Sequence, residues 1–369
     1  MNPHFPEIKK NFGFGMMRLP MVGEEVDLEQ TNKMVDAFLD AGFNYFDTAH
    51  PYIQGKSEKA VKTCIADRHP REKFLLANKL SFNCFETEAD VRPLVESQLE
   101  LCGVEYFDFF LIHAMNLTRY EKYKACRCFE IAQELKAEGK LRHVGMSFHD
   151  SAEALDKILT WQPELEFVQL QFNYVDYEDS KVQARLCYEV CQKHGKPVMV
   201  MEPVKGGSLV NLPEEAAKLL PDGSTASYAI RFAASFPQVV MVLSGMSNTE
   251  QVEQNMSYAA RATAGMLSEE AYAQTIAAGD KMRGYLSINC TGCGYCAVCP
   301  NDIAIPDIFA MYNRAQLDGD GVRSMNEYRA LEERNQSGCI ECGACVSACP
   351  QHIEIPEELK KVHKRWGKK

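Results

Sequence analysis

The sequence lacks the marks of export and of membrane residence. No apolar run approaches the roughly 20 residues that span a bilayer. The N-terminal stretch Met1-Asn2-Pro3-His4-Phe5-Pro6 has no basic-then-apolar leader pattern. Secretion is therefore not expected, and a disulfide framework is not expected either, although the chain holds 15 cysteines. A reducing cytoplasm is the expected compartment. Positive charge is also scarce: Lys and Arg total 40 against 51 Asp and Glu, a net charge of −11. That balance argues against nucleic acid as the main partner, because phosphate binding needs clustered cations. The basic tail from Lys360 to Lys369 reads as a solvated helix end. Hydrophobic content of 46% and charged content of 25% over 369 residues suit a soluble protein with one large domain and a small one.

What the chain has in plenty is cysteine near its C-terminus. One quartet reads Cys290-x2-Cys293-x2-Cys296-x2-Cys299-Pro300, and a second reads Cys339-x2-Cys342-x2-Cys345-x3-Cys349-Pro350. Three cysteines at every third position, then a fourth followed by proline, match the ligand run of bacterial-type [4Fe–4S] proteins. Structural zinc is the alternative, but zinc sites take two C-x2-C pairs separated by a longer loop. The two segments form an internal repeat: Pro300-Asn301-Asp302-Ile303-Ala304-Ile305-Pro306 is matched by Pro350-Gln351-His352-Ile353-Glu354-Ile355-Pro356. Stretches such as Ile308 to Leu317 and Met325 to Arg334 between the quartets read as helices. This part resembles the helical two-cluster ferredoxin domain. The resemblance implies two clusters, one held by Cys290, Cys293, Cys296 and Cys349, the other by Cys339, Cys342, Cys345 and Cys299. The first quartet is one residue short of the usual spacing before its last cysteine. Cys64, Cys84, Cys102, Cys126, Cys128, Cys187 and Cys191 read as ordinary thiols.

Ahead of the quartets, short apolar runs alternate with amphipathic stretches. Candidate strands are Gly13–Met17, Phe43–Asp47, Phe74–Lys79, Phe107–His113, His143–Ser147, Val168–Phe172, Val198–Glu202 and Val239–Leu243. A helical pattern follows each strand, which implies parallel strands joined by right-handed crossovers. Eight such units in about 270 residues match a (β/α)8 barrel. A doubly wound sheet is the runner-up, but Gly13-x-Gly15-Met16 does not lead into a helix as its phosphate-binding turn requires. The expected division is a barrel over residues 1–283 and a helical ferredoxin-type domain over residues 284–369.

In such a barrel, reactive residues stand at the C-terminal ends of strands. The second strand ends Asn44-Tyr45-Phe46-Asp47-Thr48-Ala49 with Tyr52 beyond, the third ends in Asn78-Lys79, and the fourth ends in His113. The stretch Gly42-Phe43-Asn44-Tyr45-Phe46-Asp47-Thr48-Ala49-x-x-Tyr52, with Lys79 and His113, is similar to the signature of the aldo-keto reductases over roughly residues 10 to 260. Reducing a carbonyl with a nicotinamide takes a hydride from the cofactor and a proton to the oxygen. A tyrosine with an ordinary pKa near 10 is a slow donor at neutral pH unless a neighbouring ammonium favours its phenolate. The resemblance thus implies Tyr52 as general acid, Lys79 as its activator, Asp47 as the anchor of Lys79, and His113 as a hydrogen-bond donor to the substrate oxygen.

The same resemblance implies cofactor contacts. Ser147 and Gln169 would meet the carboxamide, and Glu202, Pro203, Lys205, Gly206 and Gly207 would lie along the pyrophosphate. Gly245, Ser247, Gln251 and Asn255 would lie at the adenosine end. Better-known members carry Lys-Ser and an Arg for the NADP 2′-phosphate where this chain has Gly245-Met246 and Gln251, so both NADP and NAD stay open. Arg18, just past the first strand, suits either an anionic substrate group or a neighbouring carboxylate.

Hydride moves two electrons and a cubane moves one, which leaves three readings. The chain is a reductase of aldehydes or ketones whose two [4Fe–4S] clusters mainly stabilise the tail; or a ferredoxin-linked oxidoreductase whose clusters relay electrons to or from the barrel; or a non-catalytic electron-transfer subunit. The expected partners are a small carbonyl substrate and, on the second reading, a ferredoxin or other electron carrier.

Overall fold

The computed structural model describes residues 4–220, 225–259, 265–317 and 319–367. Contacts divide the chain into two units, Met1–Pro203 with Ala229–Ser268, and Val204–Tyr228 with Glu269–Lys369.

The first unit is a closed barrel of eight parallel strands. They are β1 (Phe12–Gly15), β2 (Tyr45–Asp47), β3 (Leu75–Leu80), β4 (Phe107–Met115), β5 (Leu141–Phe148), β6 (Val168–Gln171), β7 (Val198–Met201) and β8 (Val239–Gly245). Each strand overlaps one of the eight apolar runs. The ring closes where Gly13 of β1 faces Tyr45 on one side and Leu243 on the other. That closure excludes the doubly wound alternative, whose open sheet would keep two free edges.

Side chains from the early part of the strands fill the interior. Tyr45, Leu75, Ala77, Phe109, Leu111, Phe167, Met199, Met241 and Leu243 form one buried cluster with Phe5 and Ile8. Phe5, from the segment before β1, stands edge-on to Phe109 (5.1 Å) and Phe167 (5.9 Å). Burying such a ring contributes about 1.5–3 kcal/mol. Gly145 makes room for this filling, since a Cβ there would run into the ring and carbonyl of Phe167. With one end packed by Phe5 and its neighbours, the polar residues gather at the other end of the strands.

The helices follow from local sequence. In Leu28–Asp40 the Asp27 side chain caps the N-terminus by accepting from the Gln30 amide at 2.9 Å, and Thr31, Met34, Val35 and Phe38 line the buried face at helical spacing. Glu88–Cys102 opens on a Thr87–Asp90 capping box and stops at Gly103, whose φ of 68° ends the helix.

The second unit is helical, with Glu269–Arg283, Ile305–Leu317, Gly321–Ala330, Ala344–Ala348 and Ile355–Trp366. The sequence repeat is a structural repeat. Ile303 and Ile305 are buried beside Ile353 and Ile355 in one core with Phe309, Tyr328, Leu359 and Trp366. In both copies the amide of the second isoleucine bonds the carbonyl of the first at 2.8 Å. Asp302 and His352, one in each copy, share a left-handed backbone, with φ of 48° and 51°. Among the described residues no helix is long and apolar enough to cross a membrane.

Candidate active site

The strand ends bring together the four residues singled out from the sequence. Asp47 closes β2, Lys79 is the penultimate residue of β3, and His113 lies two residues before the end of β4. Tyr52 opens the short turn Tyr52–Gly55, whose backbone is left-handed at Ile53 (φ 50°) and Gln54 (φ 55°). A β-branched residue in that region is strained, and such strain persists only where surrounding contacts over-determine it.

Lys79 is fully buried, and its ammonium donates to Asp47 Oδ1 at 2.6 Å and to the Thr48 carbonyl at 2.7 Å. Burial pulls the Lys79 ammonium below its ordinary value, with Asp47 opposing. Its Nζ lies 4.8 Å from the centre of the Tyr52 ring, and that ring stands edge-on to His113 with centres 6.0 Å apart. Burial pushes the His113 imidazolium well below its usual range, and the neighbouring Lys79, His149 and Arg119 push the same way, so the ring is neutral. Its Nδ1 is 2.6 Å from Ser81 Oγ, and its carbonyl accepts from the Tyr123 hydroxyl at 2.8 Å.

The expected cofactor contacts fall into three groups. Ser147 and Gln169 are buried on adjacent strands and face each other in register. Ser147 Oγ accepts from the Ala114 amide at 2.7 Å, and Gln169 Nε2 donates to Asp47 Oδ2 at 3.3 Å. Gly245, Ser247, Gln251 and Asn255 gather around the loop after β8. Ser247 N donates to Gln251 Oε1 (2.7 Å), Ser247 Oγ to the Arg18 carbonyl (2.8 Å), and Asn255 Nδ2 to Ser244 Oγ (3.4 Å). The Arg18 stem lies over Gly245.

Past β7, Glu202 is left-handed (φ 57°) with its carbonyl accepting from Asn173 Nδ2 at 3.0 Å, and Pro203 is buried. In the second unit Lys205 is buried and left-handed, Gly206 abuts the backbone of Thr291 so closely that a Cβ would collide with its carbonyl, and Gly207 is exposed with φ 96°.

The supporting network was not legible in sequence. Glu58 is fully buried and accepts from Asn78 Nδ2 (2.9 Å) and Gln98 Nε2 (3.1 Å), while His50 Nδ1 meets its other oxygen at 2.7 Å. The signal available for Glu58 is its place one turn before Val61 and two before Ile65, a carboxylate on an otherwise apolar helical stripe.

The cysteine quartets require a correction. Burial first, and then Cys293, Cys290 and Cys349, push the Cys296 thiol up to about 12. Cys345 is raised by burial and by Cys299, Cys339 and Cys342. The last cysteine of each quartet therefore lies within electrostatic reach of the other quartet. Among the described residues, however, no group of three or more His, Cys, Asp or Glu side chains is arranged so that it could hold a metal ion. The expectation of two [4Fe–4S] clusters on Cys290, Cys293, Cys296, Cys299, Cys339, Cys342, Cys345 and Cys349 is corrected on that geometry. The iron–sulfur subgroup and the electron relay through the clusters fall with it.

Residues 11–275 match the model of the Aldo/keto reductase family. Residues 289–354 match that of the 4Fe-4S dicluster domain, in a segment where no metal-holding group of side chains is found among the described residues. The chain is similar to the uncharacterized oxidoreductase YqkF of Bacillus subtilis (strain 168), at 22% identity over 271 residues covering 64% of this chain and 83% of that protein. It is also similar to the solved holo form of aldo-keto reductase AKR11C1 from Bacillus halodurans, at 25% identity and a TM-score of 0.61, covering 73% of this chain and 91% of that one. An aldo-keto reductase from Klebsiella pneumoniae in complex with NADPH shares the fold at 21% identity and a TM-score of 0.59, covering 72% and 89%.

Proposed function

The chain belongs to the aldo-keto reductase family of NAD(P)-dependent oxidoreductases, and on that premise we propose that it reduces a small aldehyde or ketone to the alcohol, with Tyr52 as the proton donor. The observation that carries this reading is the buried Lys79 ammonium, bonded to Asp47 at 2.6 Å and set 4.8 Å from the centre of the Tyr52 ring. As negative charge grows on the substrate oxygen, the Tyr52 hydroxyl gives up its proton, and the phenolate left behind faces Lys79. Asp47 holds that ammonium in place. In the tautomer in which Ser81 donates to Nδ1, the neutral His113 carries its proton on Nε2 and donates it as a hydrogen bond to the same oxygen. Neutrality matters, because a charged imidazole beside Lys79 would be costly in a buried site.

A nicotinamide bound beside these residues supplies the hydride. Ser147 and Gln169, buried polar side chains at adjacent strand ends, fit its carboxamide, and Gly245, Ser247, Gln251 and Asn255 fit the adenosine end. NADP and NAD are both proposed as cofactors. The loop after β8 offers Gly245 and Gln251 where a 2′-phosphate would call for cations, and the nearby cation is Arg18. Parallel binding titrations with NADPH and NADH measure which is preferred. The chemistry is assigned to the barrel strands and the loops at their ends, and no step to the helical segment, residues 284–369. A cytoplasmic setting is proposed on cysteine content, which suits a reducing compartment.

Tyr52→Phe tests the assignment. Loss of aldehyde reduction with both nicotinamides, in a variant that still binds them, is the expected outcome; retained turnover removes Tyr52 from the reaction.

A further inference from the structure

His50 stands two residues before Tyr52, on the same loop. Its Nδ1 meets Glu58 Oε2 at 2.7 Å, and a buried carboxylate of this kind needs compensating partners. The other oxygen of Glu58 accepts from the side-chain amides of Asn78 and Gln98. Those two amides grip the backbone of Lys79 from both sides. Asn78 Oδ1 accepts from the Lys79 N–H at 2.8 Å, and Gln98 Nε2 donates to the Lys79 carbonyl at 3.0 Å and to Asn78 Oδ1 at 3.1 Å. One carboxylate thus ties the loop that carries Tyr52 to the strand that carries Lys79. The loop is further pinned where Thr48 Oγ1 meets Ser57 Oγ at 2.7 Å and Ser57 Oγ donates to the Met16 carbonyl at 2.9 Å.

We propose that His50 and Glu58 are a positioning pair that sets the distance between the Lys79 ammonium and the Tyr52 phenol, an inference that rests on the catalytic roles proposed above. Neither residue touches the reacting atoms. The clamp on Nζ by Asp47 and the Thr48 carbonyl fixes the tip of Lys79, whereas Asn78 and Gln98 fix its root. Of the partners of Glu58, His50 is the one that can carry charge, and it is raised above its ordinary pKa by its bond to Glu58, with burial opposing. Removing the ring leaves Glu58 to recruit Asn78 and Gln98 more fully, which loosens their hold on Lys79.

The experiment compares the full-length protein with His50→Ala, His50→Asn and Glu58→Gln, each checked for retained fold by circular dichroism. Two readouts are taken. The first is the titration of the Tyr52 phenol, read as ultraviolet difference absorbance against Tyr52→Phe, which needs no turnover. The second is the split between kcat and KM. His50→Ala and Glu58→Gln are expected to shift the Tyr52 titration and to lower kcat by roughly tenfold to a hundredfold, the cost of misplacing a catalytic group by a fraction of an ångström to an ångström, with KM unchanged. His50→Asn, which keeps a donor near the Nδ1 position, is expected to restore most of both. An unchanged Tyr52 titration in folded His50→Ala overturns the pair, as does a loss confined to KM. Should the unaltered protein reduce no carbonyl, the proposed function fails by itself, and the phenol titration still decides the positioning role.

Discussion

In the barrel, the Lys79 ammonium meets Asp47 and the Thr48 carbonyl, and Glu58 meets His50, Asn78 and Gln98. In the helical unit, burial first and neighbouring thiols after it raise Cys296 and Cys345 above their ordinary values. The first arrangement sets opposite charges against each other, and the second sets thiol beside thiol. A site whose ionised groups are already paired needs little reorganisation when a substrate arrives. Cysteine spacing, in contrast, specifies which thiols follow one another without specifying the arrangement that a metal ion needs, which is not found among the described residues.

The comparison is easiest to break at Lys79. Lys79→Met should lower kcat by about 10²- to 10⁴-fold, the usual worth of a positioned acid–base group. It should also cost stability, because stranding one member of a buried pair is worth about 3–5 kcal/mol. Steady-state kinetics and a urea melt read both, and a fully active, fully stable variant would show that the pair is ornamental.

Next in size is Phe5→Ala, which empties the packed end of the barrel far from Tyr52. A loss of about 3–5 kcal/mol is expected from the cavity, with kcat at low temperature unchanged. If kcat falls with stability, the two ends of the barrel are not independent.

A smaller effect belongs to acid. Burial works against the Glu166 carboxylate, yet hydrogen bonds from His143, Lys136 and the Val144 amide hold it down to about 2. A carboxyl whose folded value is depressed contributes stability above its unfolded value near 4.5, lost as pH falls toward 2. His143 also bonds Glu7 at 2.8 Å and packs against Phe5, so the N-terminal segment should loosen in that window. Glu166→Gln should flatten the pH dependence of stability between those values by roughly 2–3 kcal/mol; chemical melts at stepped pH check this.

The smallest change is expected at the cysteines. Cys342 is exposed, and Cys342→Ser should move stability by less than about 0.5 kcal/mol and leave carbonyl turnover intact, as should Cys293→Ser. Anaerobic purification with iron and sulfide analysis sharpens the contrast further. Stoichiometric iron and sulfide would show that the cysteines do hold clusters.

Much of the barrel was legible because its signal is local. Each apolar run gave a strand, and strand ends gave Asp47, Lys79 and His113 their level in the barrel. What stayed hidden was non-local. Glu58 is separated from Asn78 by 20 residues and from Gln98 by 40, and an acid beside Lys59 on a short helix reads as solvated until the fold buries it. Ser81 escaped for the same reason, since its partner His113 is 32 residues away. Gly206 lies against Thr291, a neighbour that no reading of the loop itself could supply.

That last contact bears on modularity. Val204–Tyr228 belongs by contacts with Glu269–Lys369, and Leu220 and Tyr228 share a small core with Ala278. The cysteine-bearing portion is therefore not an appendage that can be cut away at a linker. A truncation after Ser268 would leave Leu220 and Tyr228 without their core partner and Gly206 without the backbone it was shaped to admit. A graft of the same tail onto another barrel would have to carry the loop after β7 with it.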